Sequence, residues 1–327
     1  MREHVKKVNR RPSDPPAKHK AKTIMMTRYL NRGMEWLDAV RLTIALAICV
    51  FASYTDWKTR TASDMNWVAM GGAGLVLLAI ELLSLGADWT YFLMLFPVGF
   101  VFFDLFWDRR ELFEGGVNWT PLALYGLSLA VIAFMLVQHN QELLYYKLVT
   151  ILVVILIMIL LYQFDVIKGG ADAKALIALA VLIPAYPMIG QLPLIHMAND
   201  WVSIIFPFAL LVLFYAALLT MFIPLGLFFY NLYRHDVKMP AMLLGYRLSI
   251  AEARGKFVWP MESIKEGKRR FTYFPKDEET GEAALKQLEE AGADMIWVTP
   301  KLPFLVPITG AVLTAAVIGN LFLAFMR

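Results

Sequence analysis

Residues 145–164 read YYKLVTILVVILIMILLYQF, and this stretch decides the class of fold. Lys147 is its only charged residue. A helix of roughly 20 residues is about 30 Å long, which matches the hydrocarbon core of a bilayer. Seven more apolar runs occur along the chain. The sequence therefore predicts an all-α polytopic membrane protein with about eight transmembrane helices and a lipid bilayer as its surroundings.

The eight predicted spans are unequal in length. Pro184 and Pro187 are expected to kink or end the sixth, and Pro207 and Pro224 to tilt or break the seventh, because proline interrupts a helix. The spans are Leu37–Tyr54, Asn66–Leu85, Trp89–Trp107, Thr120–Gln138, Tyr145–Phe164, Lys174–Ile189, Trp201–Tyr233 and Leu302–Met326.

Composition agrees with this fold class. Of 327 residues, 59% are hydrophobic and 18% charged, with a mean hydropathy of +0.56, which is more apolar than a soluble protein. The net charge of +4 reflects lysine and arginine in loops, so no nucleic-acid partner is predicted. Cys49 is the only cysteine, which excludes an internal disulfide framework and a multi-cysteine zinc site.

Charge in the loops predicts the orientation. Cytoplasmic loops of membrane proteins are enriched in lysine and arginine. If the loop that holds Asp56 is cytoplasmic, the basic loops and the segment 234–301 lie on the same side. The opposite loops carry almost no basic residue, although the basic N-terminal tail would then lie outside. We expect a multi-pass protein of the cell membrane whose site faces the cytoplasm.

Four parts are predicted along the chain: a basic tail over 1–36, a membrane catalytic core over 37–233, a cytoplasmic lobe over 234–301 and a last transmembrane helix over 302–327. Alternating short strands and one amphipathic helix predict a small α/β fold for the lobe. The expected strands are Phe257–Trp259, Phe271–Phe274 and Met295–Val298, and the expected helix is Glu282–Ala291.

Two aspartates stand out because ionisable groups near membrane depth are expensive and commonly functional. Asp56 follows the first span and Asp172 precedes the sixth. Four predicted spans separate them, an even number, so both carboxyls reach the same face. Gly169 and Gly170 precede Asp172 and allow another chain to approach closely. Two adjacent carboxyls that share a proton can hydrolyse a peptide without a metal, cofactor or covalent nucleophile.

The motifs around these residues resemble those of the type IV prepilin and preflagellin peptidases, which are GxGD-type membrane aspartyl proteases. GGADAK (Gly169–Lys174) is similar to the signature of the second aspartate, with Ala171 where a glycine is frequent. YTDWKTR (Tyr54–Arg60) is similar to the motif of the first. WVTPKLPFLVP (Trp297–Pro307) is similar to the entry into the last span of archaeal members. Five spans precede GGADAK here, whereas shorter archaeal members resemble a three-span arrangement.

The resemblance implies an endopeptidase that removes a short basic leader from pilin-like or archaellin precursors on the cytoplasmic side. It implies that Asp56 and Asp172 are catalytic, with motif support from Gly169, Gly170, Ala171 and Lys174. Asp64 is a candidate to attract the basic leader.

Other interpretations remain open at this stage. Asp56 could pair with Lys58 or Arg60, Asp172 could cap a helix, and Lys174 could form an ion pair. Glu81 and Asp104, within spans, are interpreted as polar contacts inside the bundle. An ion- or proton-coupled transporter would use the same carboxylates, and a non-catalytic scaffold for pilus assembly is a third possibility.

Overall fold

The computed structural model of the chain describes residues 17–109, 113, 116–195, 201–265, 267–273, 275 and 281–322. These residues are mostly helical, with a small α/β region near the C-terminal end. Residues 1–16 of the predicted tail lie outside the described part, and helix α1 begins within that tail at Ala17.

Helices account for the part of the chain that precedes the α/β region. They are α1 (Ala17–Thr59), α2 (Asp64–Ser84), a 3₁₀ turn (Trp89–Met94), α3 (Leu95–Asp104), α4 (Trp119–His139), α5 (Leu143–Gln163), α6 (Gly170–Leu182), α7 (Trp201–Ile205), α8 (Phe208–Thr220) and α9 (Phe222–Tyr233). Helix α13 (Leu305–Ile318) closes the described chain.

Among the described residues, five helices are long and apolar enough to cross a bilayer: Met34–Thr59, Asp64–Ser84, Trp119–His139, Leu143–Gln163 and Phe208–Tyr233. Two shorter apolar helices are Trp89–Asp104 and Leu305–Ile318. The prediction of a polytopic helical protein is therefore confirmed, while eight helices of spanning length are not found in this part of the chain.

The eighth predicted span was too long, because α13 ends at Ile318, before Gly319 with its φ of 82°. The sixth and seventh also differ from the observed helices, and proline explains both of these differences. The sixth ends at Leu182 instead of Ile189, because Ile183 precedes Pro184 and a residue before proline disfavours the helical conformation. The seventh is divided into α7, α8 and α9. One break falls at Pro207, which precedes α8, and the other at Met221, so that Pro224 lies in the first turn of α9, where proline is tolerated.

Helix α6 lies at the centre of the bundle. Its residues are buried on every side from Ala175 to Leu182, and it packs against α2, α5 and α8. Helix α13 in turn packs against α1 and α8. A helix that is apolar all round is one surrounded by other elements, and the alanine-rich sequence of α6 lets its neighbours approach closely.

The closest approach is between α2 and α6. A Cβ atom added to Gly74 would lie 2.7 Å from the Cα atom of Leu182. Gly71, one turn earlier, lies under the ring of Phe102, with 2.1 Å between an added Cβ and the nearest ring atom. Small residues that bring helix backbones together are typical of helix contacts in membranes. Gly74 therefore sets the distance of α6 from α2, and Gly71 makes room for Phe102 of α3.

The α/β region contains two small antiparallel sheets. One has strand order β1–β5–β2, built from β1 (Tyr246–Ser249), β2 (Val258–Pro260) and β5 (Met295–Pro300), and the other is the hairpin of β3 (Glu262–Lys265) and β4 (Lys268–Phe271). The short helices are α10 (Ala241–Leu244) and α11 (Ile250–Arg254), and α12 (Glu282–Glu290) packs against β3.

The sequence predicted this α/β region correctly but only part of its detail. The helix and the strands near Val258 and Met295 are present close to their expected bounds. The strand expected at Phe271–Phe274 was wrong, because residues 268–271 pair with β3 and the hairpin ends at Phe271.

Replacement of Gly74 by alanine should lower the stability of the protein by about 1–3 kcal/mol, because the added methyl group overlaps the α6 backbone. Gly72 is the matched control: no atom lies within 4 Å of its added Cβ, so Gly72→Ala should be neutral or slightly stabilising. Thermal unfolding of both variants in the same detergent would measure this. Equal melting temperatures would contradict the close packing of α2 on α6.

Candidate functional site

Asp56 lies in the last turn of α1. The backbone N–H of Arg60 donates to the carbonyl oxygen of Asp56 at 2.9 Å, and Arg60 has a φ of 58°, so the chain turns sharply away from the helix here. One turn earlier, the hydroxyl of Ser53 donates to the carbonyl oxygen of Leu305 at 2.9 Å. This hydrogen bond connects the end of α1 to the start of α13 and so fixes the position of Asp56 relative to α13.

Asp172 lies in the first turn of α6, outside the five helices of spanning length. Gly169 is the N-cap residue, and its carbonyl oxygen accepts from the backbone N–H groups of Asp172 and Ala173, both at 3.1 Å. The Asp172 side chain makes no hydrogen bond or ion pair with any residue in the described ranges. The interpretation of Asp172 as a helix cap is therefore wrong.

Helix α1, which carries Asp56, packs against α6, which carries Asp172. Burial raises the pKa of Asp172 to about 7, and the negative charge of Asp56 adds to this increase. A buried carboxyl close to a second, ionised carboxyl keeps its proton to a higher pH. Such a pair can supply a base and an acid at the same time.

Neither cation that follows Asp56 forms an ion pair with it, although the charge of Arg60 acts on Asp56 from a longer distance. The Lys58 ammonium lies over the Tyr54 ring, 4.5 Å from its centroid. The Arg60 guanidinium lies between two aromatic rings instead. No ion pair to Asp56 exists among the residues that the structure describes, so the interpretation of Asp56 as one half of a simple salt bridge is wrong.

The glycines ahead of Asp172 differ in their surroundings. A Cβ added to Gly169 would lie 2.1 Å from Oδ2 of Asp172, so only glycine leaves room for this carboxyl orientation. A Cβ added to Gly170 would meet the Tyr162 hydroxyl at 3.4 Å, an ordinary contact. Ala171, the third residue of the motif, is half-buried. The first glycine of GGAD thus makes space for the aspartate itself.

Asp64 and Lys174 form an ion pair. Asp64 begins α2, after Ser63 as N-cap, and both of its carboxylate oxygens accept from the Lys174 ammonium, at 2.8 and 2.7 Å. The ammonium also lies 5.2 Å from the centroid of the Phe106 ring. Both side chains are accessible, 56% for Asp64 and 30% for Lys174. The pair is two residues beyond Asp172 along α6, so it borders the same site.

Asp104 and Glu81 have partners within the bundle. Asp104 is bound by the Arg109 guanidinium at 2.8 Å and by the Tyr125 hydroxyl at 2.6 Å, at one end of an apolar groove of about 450 Å³ between α3 and α4. Glu81 accepts from Arg41 at 2.7 Å and from Lys147 at 2.6 Å.

Sequence reasoning missed the buried cluster around Glu81. Arg41 is 3% exposed and lies 3.8 Å from Asp38, whose carboxylate also accepts from the backbone N–H of Met188 at 2.9 Å. Glu81 lies seventeen positions after Asp64 on α2, which places the cluster roughly 25 Å from Asp64 along that helix. A charged residue in each of three apolar runs is the signal that could have found it.

His139 belongs to a second cluster of polar side chains. Its ring lies 2.8 Å from the Thr90 hydroxyl and 2.8 Å from Glu142. His196 lies outside the described residues. Within the described ranges, no group of three or more His, Cys, Asp and Glu side chains is arranged to hold a metal ion.

Comparisons with known proteins agree with one another, because each finds similarity to archaeal peptidases. Residues 237–321 match the family model described as Archaeal Peptidase A24 C-terminus Type II. The chain is 30% identical over 177 residues to a preflagellin peptidase of Methanococcus voltae, which covers 48% of this chain and 66% of that protein. It is 28% identical over 172 residues to a preflagellin peptidase of Methanocaldococcus jannaschii, covering 49% and 66%. The alignments therefore span just under two thirds of each relative, and they confirm the resemblance seen in the motifs.

Replacement of Asp56 by asparagine should lower the pKa of Asp172, because the negative charge that raises it is removed while burial is unchanged. The measurement is a pH titration of the protonated carboxyl stretch by infrared difference spectroscopy, assigned with Asp172→Asn. Asp165→Asn is the control and should leave the titration midpoint near pH 7. An unchanged midpoint in Asp56→Asn would mean that the charge of Asp56 does not act on the pKa of Asp172.

Proposed function

We propose that this chain, a relative of the archaeal preflagellin peptidases, is a membrane aspartyl endopeptidase that removes the leader peptide from archaellin or type IV pilin-like precursors. The observation that carries the proposal is the pair of Asp56 and Asp172: the charge of Asp56 acts on the buried Asp172 carboxyl, and neither side chain forms an ion pair or a hydrogen bond among the described residues. Both relatives are preflagellin peptidases, which supports an archaellin precursor as the substrate.

The proposed chemistry is hydrolysis with one shared proton. One ionised carboxylate takes a proton from water as the oxygen attacks the peptide carbon, while the other, protonated carboxyl donates to the carbonyl oxygen. The tetrahedral intermediate then collapses, the C–N bond breaks and the departing nitrogen takes up a proton. The raised pKa of Asp172 supports its role as the acid, since it holds its proton close to neutral pH.

Cleavage is proposed to occur at the cytoplasmic face, before the apolar segment of the precursor. The basic loops around Lys58 and Lys168 support this orientation through the positive-inside rule. A basic leader would reach Asp64 by competing with Lys174, because both ends of that ion pair are accessible. Exchange of one cation for another on the same carboxylate has a small net cost, since exposed ion pairs contribute little.

For the whole chain we keep two predictions as proposals: that it has eight spans, and that it is organised in the four parts given above. Helix α6 is only 13 residues long, about 20 Å, which is shorter than a bilayer core. Its length is no obstacle, because neighbouring helices cover it and backbone inside a protein need not match the membrane. The region 234–301 would then be a cytoplasmic lobe between the seventh and last spans.

The competing functions have less support. A transporter that used these carboxylates finds no support among the relatives, which are peptidases. A scaffold would not need two interacting aspartates without partners, which are costly to maintain at a helix end. Incubation of the purified protein with a panel of archaellin and pilin precursors would test the proposal directly, and lack of cleavage across the panel would argue against it.

Asp56→Asn and Asp172→Asn should each reduce precursor cleavage by about 100-fold or more, because general acid and base groups contribute on that scale. Each variant should remain folded, as neither side chain holds an ion pair among the described residues. Initial rates measured on gels, with melting temperature as the check of folding, give the comparison. Asp165→Asn should retain the activity of the parent. A folded but active variant at either site would remove that aspartate from the mechanism.

Gly169→Ala should reduce the cleavage rate by about tenfold or more, because its methyl group would occupy the position of the Asp172 carboxyl oxygen. The backbone of Gly169, with φ −88° and ψ 117°, accommodates alanine, so the effect is on the carboxyl and not on the turn. Gly170→Ala, with an ordinary contact at the same place, is the matched control. Equal rates for the two variants would contradict the proposed carboxyl position.

A further inference from the structure

Arg60 adopts an unusual conformation next to the aspartate pair. It follows the end of α1 with a φ of 58°, in the left-handed region that few residues other than glycine occupy. Its backbone N–H donates to the carbonyl oxygen of Asp56 at 2.9 Å. This turn directs the side chain of Arg60 toward the α/β region, whose residue Phe257 it contacts.

Two aromatic rings hold the guanidinium of Arg60. Its central carbon lies 5.8 Å from the centroid of the Trp57 ring and 5.0 Å from that of the Phe257 ring. Both distances are in the range of a cation–π contact. Aromatic faces hold the planar cation from its sides and make no hydrogen bond with it, so the N–H donors in its plane remain available.

Those donors are buried and have no partner in the described part of the protein. Nε and one terminal nitrogen, Nη1, of Arg60 are inaccessible to solvent and make no hydrogen bond there. Buried polar groups nearly always have a hydrogen-bond partner, and an exception calls for an explanation. Arg41 also has a buried Nε without a partner, but its guanidinium binds the Glu81 carboxylate through Nη2. Arg60 carries comparable donors within reach of the Asp56 charge but makes no ion pair with it.

We propose that Arg60 is a substrate-binding residue whose guanidinium donates hydrogen bonds to main-chain carbonyl groups of the precursor, beside the bond that is cleaved. This proposal rests on the proposed function and adds the group that holds the peptide. An extended peptide presents a row of carbonyl acceptors, and arginine offers several donors in a fixed geometry. A basic leader provides few carboxylates, so the neutral carbonyl is the acceptor that fits.

The ring of Phe257 covers the Arg60 guanidinium and would have to move before a peptide could reach its donors. It is 47% exposed, so it can turn into solvent with little loss of packing. Its backbone is held, because its carbonyl oxygen accepts from the N–H of Lys301 at 2.9 Å. The peptide therefore enters between the end of α1 and the residue before β2, moves the ring aside and brings its carbonyl oxygens to the N–H groups in the plane of the guanidinium.

The test compares Arg60→Asn and Arg60→Lys in precursor cleavage, with KM and kcat measured separately. Asparagine tolerates the left-handed conformation, so the fold is kept while the guanidinium is lost. We expect Arg60→Asn to raise KM by about tenfold or more, since one net hydrogen bond corresponds to roughly that factor. Its kcat should stay within about threefold. Arg60→Lys should recover part of the loss, because it keeps the charge but not the planar donors.

Lys58→Gln is the matched control and should leave KM unchanged, because its ammonium lies over Tyr54 and away from the aromatic pair. Phe257→Ala should change KM in the parent but not in the Arg60→Asn background, since the two side chains act together. An unchanged KM in Arg60→Asn, or a loss confined to kcat, would overturn the proposal. The proposed function would stand in that event, because it depends on the loss of cleavage in Asp172→Asn.

Discussion

The burial of α6 is the constraint on which the rest of the structure depends. A helix enclosed on every side can be placed only through close contact, and the contact of Gly74 with the backbone of Leu182 provides it. Because α6 is fixed along its length, its first turn is fixed as well, and that turn carries Asp172. The same helix presents Lys174 to Asp64 on α2. Packing between apolar helices therefore determines the position of the polar groups at their ends.

The sequence predicted the long helices because each is a continuous apolar run, and it predicted the class of the α/β region from its alternation of short elements. It did not predict β1 or β3, four-residue strands whose existence depends on pairing with β5 and β4. Such strands have weak local preferences, and tertiary contacts decide them. The end of α6 also escaped exact prediction, because apolar residues continue beyond Pro184 although the helix does not.

At the site, sequence reasoning found the aspartates and glycines through their motifs, but it did not find the partners that depend on the fold. The pair of Asp64 and Lys174 joins residues 110 positions apart, and Arg60 meets Phe257 across an even longer separation. The spacing of these residues along the sequence does not predict that they are in contact. The role of Gly169 likewise follows from one distance, between its missing Cβ and the Asp172 carboxyl, and not from glycine flexibility in general.

The treatment of charge differs between the two ends of the bundle. Asp38, Glu81 and Asp104 are the carboxylates within the predicted spans, and each has a cation or a hydrogen-bond donor beside it. Pairing of this kind is what makes an ionisable group tolerable at membrane depth. Asp56 and Asp172 have no such partner among the described side chains, although Lys58 and Arg60 are close along the sequence. At Asp172 burial is thus not offset by a direct partner, and the charge of Asp56 adds to it. A carboxyl in this condition keeps its proton near neutral pH and can donate it.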